Sequence, residues 1–121
     1  MRAMRLLVAG SLVVVGNLPA TSEATNKDPA ARVEMVDKQF TPKEVTIKAG
    51  DSVSWHHSDG EMSHTVTADD RSFDSNPACG TGGSCMHQDE KFDWVFLKPG
   101  KYPYHCQIHS INGMVGVVVV E

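Results

Sequence analysis

The sequence predicts an all-β fold, an antiparallel sandwich or small barrel. Three observations carry that expectation. Short runs rich in β-branched and aromatic residues recur along the chain, turn-forming residues punctuate them at regular spacing, and no convincing amphipathic helical period is present. The 121 residues suffice for one domain with a real core and not for two of ordinary size.

The N-terminus reads as an address. Arg2 and Arg5 precede an apolar run from Leu6 to Gly16, and small residues follow at Ala20 and Ala24, which predicts a secretory signal peptide over residues 1–24 cleaved after Ala20 or Ala24. The run is shorter than the roughly 20 residues that a membrane-crossing helix needs, so no membrane span is expected in the mature form. An exported, periplasmic or otherwise extracytoplasmic protein follows, tethered to the membrane if the signal stays uncleaved. Residues 25–31 are polar and include Pro29, which predicts a flexible leader ahead of a single domain over 32–121.

Within the domain, strands are expected at Val33 to Asp37, Glu44 to Lys48, Ser52 to His56, His64 to Ala68, Lys91 to Leu97, Lys101 to His105 and Met114 to Val120. Ala49-Gly50-Asp51 and Pro99-Gly100 mark tight turns between them. Phe92, Trp94 and Phe96 alternate with Asp93 and Val95, so these aromatics are expected to fill the core, as is Trp55. Val117 to Val120 is apolar without alternation, which predicts a strand covered on both faces. The stretch from Asp69 to Glu90 is rich in Gly, Ser, Asp and Asn and reads as a long loop.

The formal charge is −4. Cleavage after Ala24 removes two positive charges and one negative charge, leaving −5. An acidic balance of this size argues against a nucleic-acid partner and favours solubility. Asp69, Asp70, Asp74, Asp89, Glu90 and Asp93 offer a surface for a basic protein partner, although a solvated loop is the plainer account.

The chemistry concentrates near the C-terminus. The stretch Tyr104-His105-Cys106-Gln107-Ile108-His109-Ser110-Ile111-Asn112-Gly113-Met114 gathers a thiol, an imidazole and a thioether in one loop between two strands. A copper ion that cycles between Cu(I) and Cu(II) takes a thiolate and two imidazoles in a trigonal plane, with a weak axial thioether. Cys106, His109 and Met114 supply three of those four donors. His64 is the best candidate for the fourth, because it opens a strand just after the Ser58-Asp59-Gly60 turn and so lies at a rim.

The chain here resembles the cupredoxins of the plastocyanin, amicyanin and pseudoazurin type. Their ligand loop has the form Cys-x-x-His followed closely by Met, and Cys106-x2-His109-x4-Met114 has the plastocyanin and pseudoazurin spacing. The likeness extends from Val33 to Glu121 and includes Phe40-Thr41-Pro42, Val45 to Trp55, His64-Thr65-Val66-Thr67 and Pro99-Gly100-Lys101-Tyr102. The resemblance implies a Greek-key antiparallel β-sandwich of about eight strands. It implies one type 1 copper ion held by His64, Cys106, His109 and Met114. It also implies a monomeric electron carrier whose partners, such as cytochromes or copper and haem enzymes, dock near His109 among Ile108, Ile111 and Met62.

The sequence departs from that pattern in places. Ile108 stands where Pro commonly precedes the second ligand His, and its backbone N–H is expected to reach the Cys106 sulfur. Thr65 replaces the Asn that usually follows the first ligand His. Cys79 and Cys85 are additions, and in an oxidising compartment a disulfide between them is expected. The rival, a second metal site of Cys79, Cys85 and His87, lacks a fourth ligand. His56, His57, His87 and His105 read as ordinary strand or loop residues, and Met35, Met62 and Met86 as gap-fillers or surface residues.

A diffusible electron carrier is therefore the expected function, not an enzyme. A copper enzyme needs further centres and domains, and a dinuclear centre needs two cysteines in the ligand loop where only Cys106 lies. The alternatives are a periplasmic copper-binding or delivery protein with the same fold, and a red or green site in which His57 or Glu61 displaces or supplements Met114.

Overall fold

Two four-stranded sheets face each other across a shared apolar core in the computed structural model, which describes residues 27–121. The expected signal peptide and the first residues of the expected leader lie outside the described residues. The strands are β1 (Ala31–Val36), β2 (Gln39–Thr41), β3 (Glu44–Ile47), β4 (Ser52–His57), β5 (Thr67–Ala68), β6 (Lys91–Val95), β7 (Gly100–His105) and β8 (Val115–Val120). One sheet has the order β2-β1-β4-β6 and the other β3-β8-β7-β5. The β-sandwich agrees with the sequence, and the aromatic and β-branched content of β4 and β8 accounts for their central places.

Both sheets are mixed. β1 runs parallel to β4 and β3 parallel to β8, while the other pairings are antiparallel. The chain leaves β1 through β2, crosses to the opposite sheet as β3 and returns as β4. That double crossing brings β4 alongside β1 in the same direction, which turn signals alone do not reveal. At the start of the fold the Ala30 N–H donates to the Ser52 carbonyl at 2.8 Å, and Lys27 pairs with Asp51.

Alternation places Val33 and Met35 of β1, Val53 and Trp55 of β4, and Val118 and Val120 of β8 in the core. Trp55 is fully buried, with its ring 5.4 Å from Tyr104 and 5.9 Å from Phe73. Two expectations are corrected. Burial does alternate along β8, with Val117 and Val119 only partly covered, because one face of this sheet looks outward. On β6 only the following Phe96 is fully buried; Phe92 is half-buried and Trp94 is 38% exposed. β6 is the edge strand of its sheet, so its side chains have neighbours on one side only.

Tyr104 gives a pH prediction. Burial pushes its phenol up to about 12, outweighing the approach of the Trp55 side chain, which would lower it. The folded state therefore keeps a proton that the unfolded chain loses from about pH 10 upward. Stability from this group is full below about pH 10 and falls by on the order of 2–3 kcal/mol as pH rises to about 12. Urea unfolding at pH 9 and near pH 12 should show this loss in the wild type and its absence in Tyr104→Phe.

The long loop from Asp69 to Glu90 is present as expected, and Cys79 and Cys85 form a disulfide within it. The expected strand from His64 shortens to Thr67–Ala68, because the preceding residues pair with this loop and not with a strand. His64 exchanges backbone hydrogen bonds with Met86, and Val66 accepts the Ser75 N–H. The double variant Cys79→Ala/Cys85→Ala should lose about 2 kcal/mol, the chain-entropy value for so short a loop. Thermal melts would register this as a fall of roughly 10 °C.

Candidate metal centre

The loop that follows β7 is closed by its own backbone. The Cys106 N–H donates to the Met114 carbonyl at 3.1 Å, and the Met114 N–H donates to the His109 carbonyl at 3.2 Å. Between them Ser110–Asn112 forms a 3₁₀ turn ended by Gly113, whose φ of 81° is left-handed. That conformation is easy only for a residue without a side chain, and it turns the chain back toward Cys106. Cys106 and Met114 are thereby fully buried, and His109 is half-buried.

His64 arrives from the other side of the rim and is itself fully buried. Its Nε2–H donates to Asp59 Oδ2 at 2.7 Å, which leaves Nδ1 as the free lone pair. Asp59 is held in turn by the Asp37 backbone N–H, which it accepts at 2.8 Å. His57 braces the same loop, because its Nδ1 accepts the Asp59 N–H at 3.2 Å and its Nε2–H donates to the Met62 carbonyl.

The two free imidazole nitrogens converge on the thiol. Cys106 Sγ lies 3.8 Å from His64 Nδ1 and 3.6 Å from His109 Nδ1, and the three donor atoms lie within 4.8 Å of one another. Thiolate and imidazole bonds to a borderline divalent ion are roughly 2.3 and 2.0 Å long, so two such ligands about 120° apart are separated by about 3.7 Å. The spacing therefore fits a shared ion in the plane of the three donors. The donor chemistry, one soft sulfur and two imidazoles, is that of a type 1 copper centre.

Electrostatics favour the metal-binding form. Burial lowers the pKa of His64, outweighing the hydrogen bond to Asp59 that would raise it. Burial also lowers His109, with help from the positive charge of Lys38. Both rings are accordingly neutral near pH 7, the state that binds a cation. Burial acts to raise Asp59, yet hydrogen bonds from Asp37 and His64 outweigh it and hold the carboxyl low.

The donor to the sulfur differs from the one expected. Thr65 N–H approaches Cys106 Sγ at 3.4 Å, and among the described residues Ile108 N–H makes no such bond. The ligand loop turns Ile108 outward, where it is 41% exposed, while Thr65 is buried beside the sulfur. His57 is buried, as a packed strand residue should be, and with both nitrogens committed it is no fifth donor. Glu61 is exposed and outside the donor cluster. His105 hydrogen-bonds Asp69 at 2.7 Å, and His56 bonds Ser54 at 2.9 Å. Asp59 escaped the sequence reading of the site, although its place in a Ser-Asp-Gly turn five residues before His64 was a signal for it.

A β-sandwich that holds a buried cysteine between two imidazoles, with a buried methionine closing the same loop, defines a small mononuclear metalloprotein of the blue-copper class. Residues 8–120 match the family model of the cupredoxin-like domain, and the chain belongs to that family. A chloroplastic plastocyanin from Tetradesmus obliquus is 38% identical over 88 residues, 68% of this chain and 58% of that relative's length. Amicyanin-alpha from Methylorubrum extorquens is 31% identical over 121 residues, 98% of this chain and 88% of the relative. The crystal structure of amicyanin from Paracoccus versutus superposes with a TM-score of 0.61 at 29% identity, covering 81% of this chain and 88% of that one.

Proposed function

We propose that this chain is an exported one-electron carrier that holds a single copper ion through His64, Cys106, His109 and Met114. It serves larger redox proteins that dock where His109 nears the surface. The observation that carries the reading is the convergence of the three donor atoms of His64, Cys106 and His109 within 4.8 Å. Copper in such a donor set supplies reversible Cu(I)/Cu(II) cycling.

The protein's own residues do the rest. His64, Cys106 and Met114 are fully buried, which keeps water from the donors. Asp59 and the closed ligand loop hold the donors in place whichever charge the site carries, and little rearrangement means fast transfer. Ile108 at 41% and Ile111 at 91% exposure, both within two residues of half-buried His109, offer apolar contact area of the kind that marks docking surfaces. Among the described residues no helix is long and apolar enough to cross a membrane.

The test is the visible spectrum of purified protein with one equivalent of Cu(II). An intense blue thiolate-to-copper band, bleached by ascorbate and restored by an oxidant over many cycles, supports the carrier. A weak spectrum, or copper that leaves on reduction, rejects it in favour of copper handling.

A further inference from the structure

A partly buried polar network links the ligand loop to the disulfide loop, and no part of the site described above uses it. Gln107, the residue after Cys106, donates its backbone N–H to Thr65 Oγ1 at 2.9 Å. Its side-chain Nε2 donates to Thr67 Oγ1 at 3.2 Å and to Asp74 Oδ2 at 3.1 Å. Thr67 Oγ1 donates to Asp74 Oδ1 at 3.1 Å and lies 3.0 Å from Thr65 Oγ1.

Proton counting orders this network. Each hydroxyl has a single hydrogen. Thr67 uses its hydrogen on the carboxylate, so Thr65 must donate to Thr67, and Thr65 is then free to accept from the Gln107 backbone. Every donor therefore points, directly or through one or two hydroxyls, toward Asp74. Asp74 Oδ1 also accepts the Asn76 N–H at 3.0 Å. Asn76 in turn holds the disulfide loop, with its side chain donating to the Ser84 carbonyl at 3.2 Å and its carbonyl accepting the Cys79 N–H at 3.0 Å.

Thr65 is the residue whose N–H meets the Cys106 sulfur, and both are fully buried. We infer that Asp74 and Gln107 are positioning residues, which clamp Thr65 against the ligand loop so that its N–H stays on the Cys106 sulfur and raises the reduction potential. An N–H aimed at a thiolate stabilises its electron-rich state, and hydrogen bonding around the sulfur tunes such sites. The disulfide loop is the anchor from which Asp74 acts. This inference rests on the proposed copper site for its redox arm, and one of its tests is independent of metal.

The principal variant is Gln107→Met, which keeps side-chain length and net charge and removes the side-chain donors. In the copper-loaded protein, at a fixed solution potential, the oxidised-to-reduced ratio should rise about threefold to tenfold, the span one hydrogen bond covers, where tenfold is about 59 mV for a one-electron couple. Asp74→Ala should move the ratio the same way, although deleting a negative charge by itself would lower it. Asp74→Asn also deletes the charge but keeps an oxygen for Thr67 and Asn76, so its ratio should stay at or below that of the wild type, opposite in direction to Asp74→Ala.

In metal-free protein, amide hydrogen exchange read by NMR should quicken by about tenfold at Thr65 and Gln107 in Gln107→Met and stay unchanged in β1 and β4. An unchanged ratio in Gln107→Met, or a lowered ratio shared by Asp74→Ala and Asp74→Asn, overturns the clamp and leaves a purely Coulombic effect. Unchanged exchange at Thr65 overturns it as well. If the wild type forms no blue copper site, the carrier reading fails, and the exchange measurement alone decides the clamp.

Discussion

Cys106→Ser abolishes the intense visible band of the copper-loaded protein and weakens copper binding by more than the roughly 10–100-fold that changes to outer hydrogen-bonding partners cost. The band depends on a sulfur donor, and Cys106 is the free cysteine among the described residues, the other two being joined in a disulfide. Serine is nearly isosteric but offers a hard oxygen that stays protonated near neutral pH, a poor match for Cu(I). His64 and His109 remain in place, since Asp59 and the loop backbone hold them independently of the sulfur. Weak, ordinary Cu(II) binding should therefore survive. Absorption spectra and a competition titration against a chelator of known affinity check both halves. An intense band in Cys106→Ser would remove Cys106 from the ligand set.

The largest expected change in stability comes from a position that carries no chemistry. Gly116 on β8 is paired directly across from Tyr104 on β7. A Cβ at residue 116 would lie 2.5 Å from Cζ and the hydroxyl oxygen of Tyr104, and 3.0 Å from the Lys43 carbonyl. The ring has nowhere to go, because Phe40 packs edge-on to it at 4.7 Å and Trp55 at 5.4 Å. Gly116→Ala should therefore destabilise the fold by about 3 kcal/mol, the upper part of the range for overpacking. Thermal melts should show a fall of more than about 10 °C. Shrinking the ring in Gly116→Ala/Tyr104→Leu should recover part of that loss beyond the additive expectation, which a double-mutant cycle measures. A change of under about 0.5 kcal/mol in Gly116→Ala would show that the sheet yields at this point.

Much of the site was legible because its pattern is local. Cys106, His109 and Met114 lie within nine residues, and loop spacing together with the preference of copper for a thiolate, imidazoles and a thioether singles them out. The Cys79–Cys85 pairing was legible for a similar reason, being two close cysteines in a chain that reads as exported. Resemblance sharpened His64, which pattern alone made only the best of several histidines. The sulfur's hydrogen-bond donor was not legible. Ile108 was the local guess, whereas the true donor, Thr65, lies 41 residues from Cys106.

By itself the sequence determined the β-sandwich class, the long loop and the C-terminal ligand loop, since strand propensity, turn residues and close spacing act over a few positions and survive without knowledge of the partner strand. Only the tertiary structure decided which strands run parallel, that β6 is an edge strand with Trp94 partly in solvent, and that Asp59, Thr65 and Asp74 stand behind the donors. Those facts depend on which sheet each strand joins and how the two sheets meet. Contacts between distant residues follow from that packing, and no short window of sequence contains it.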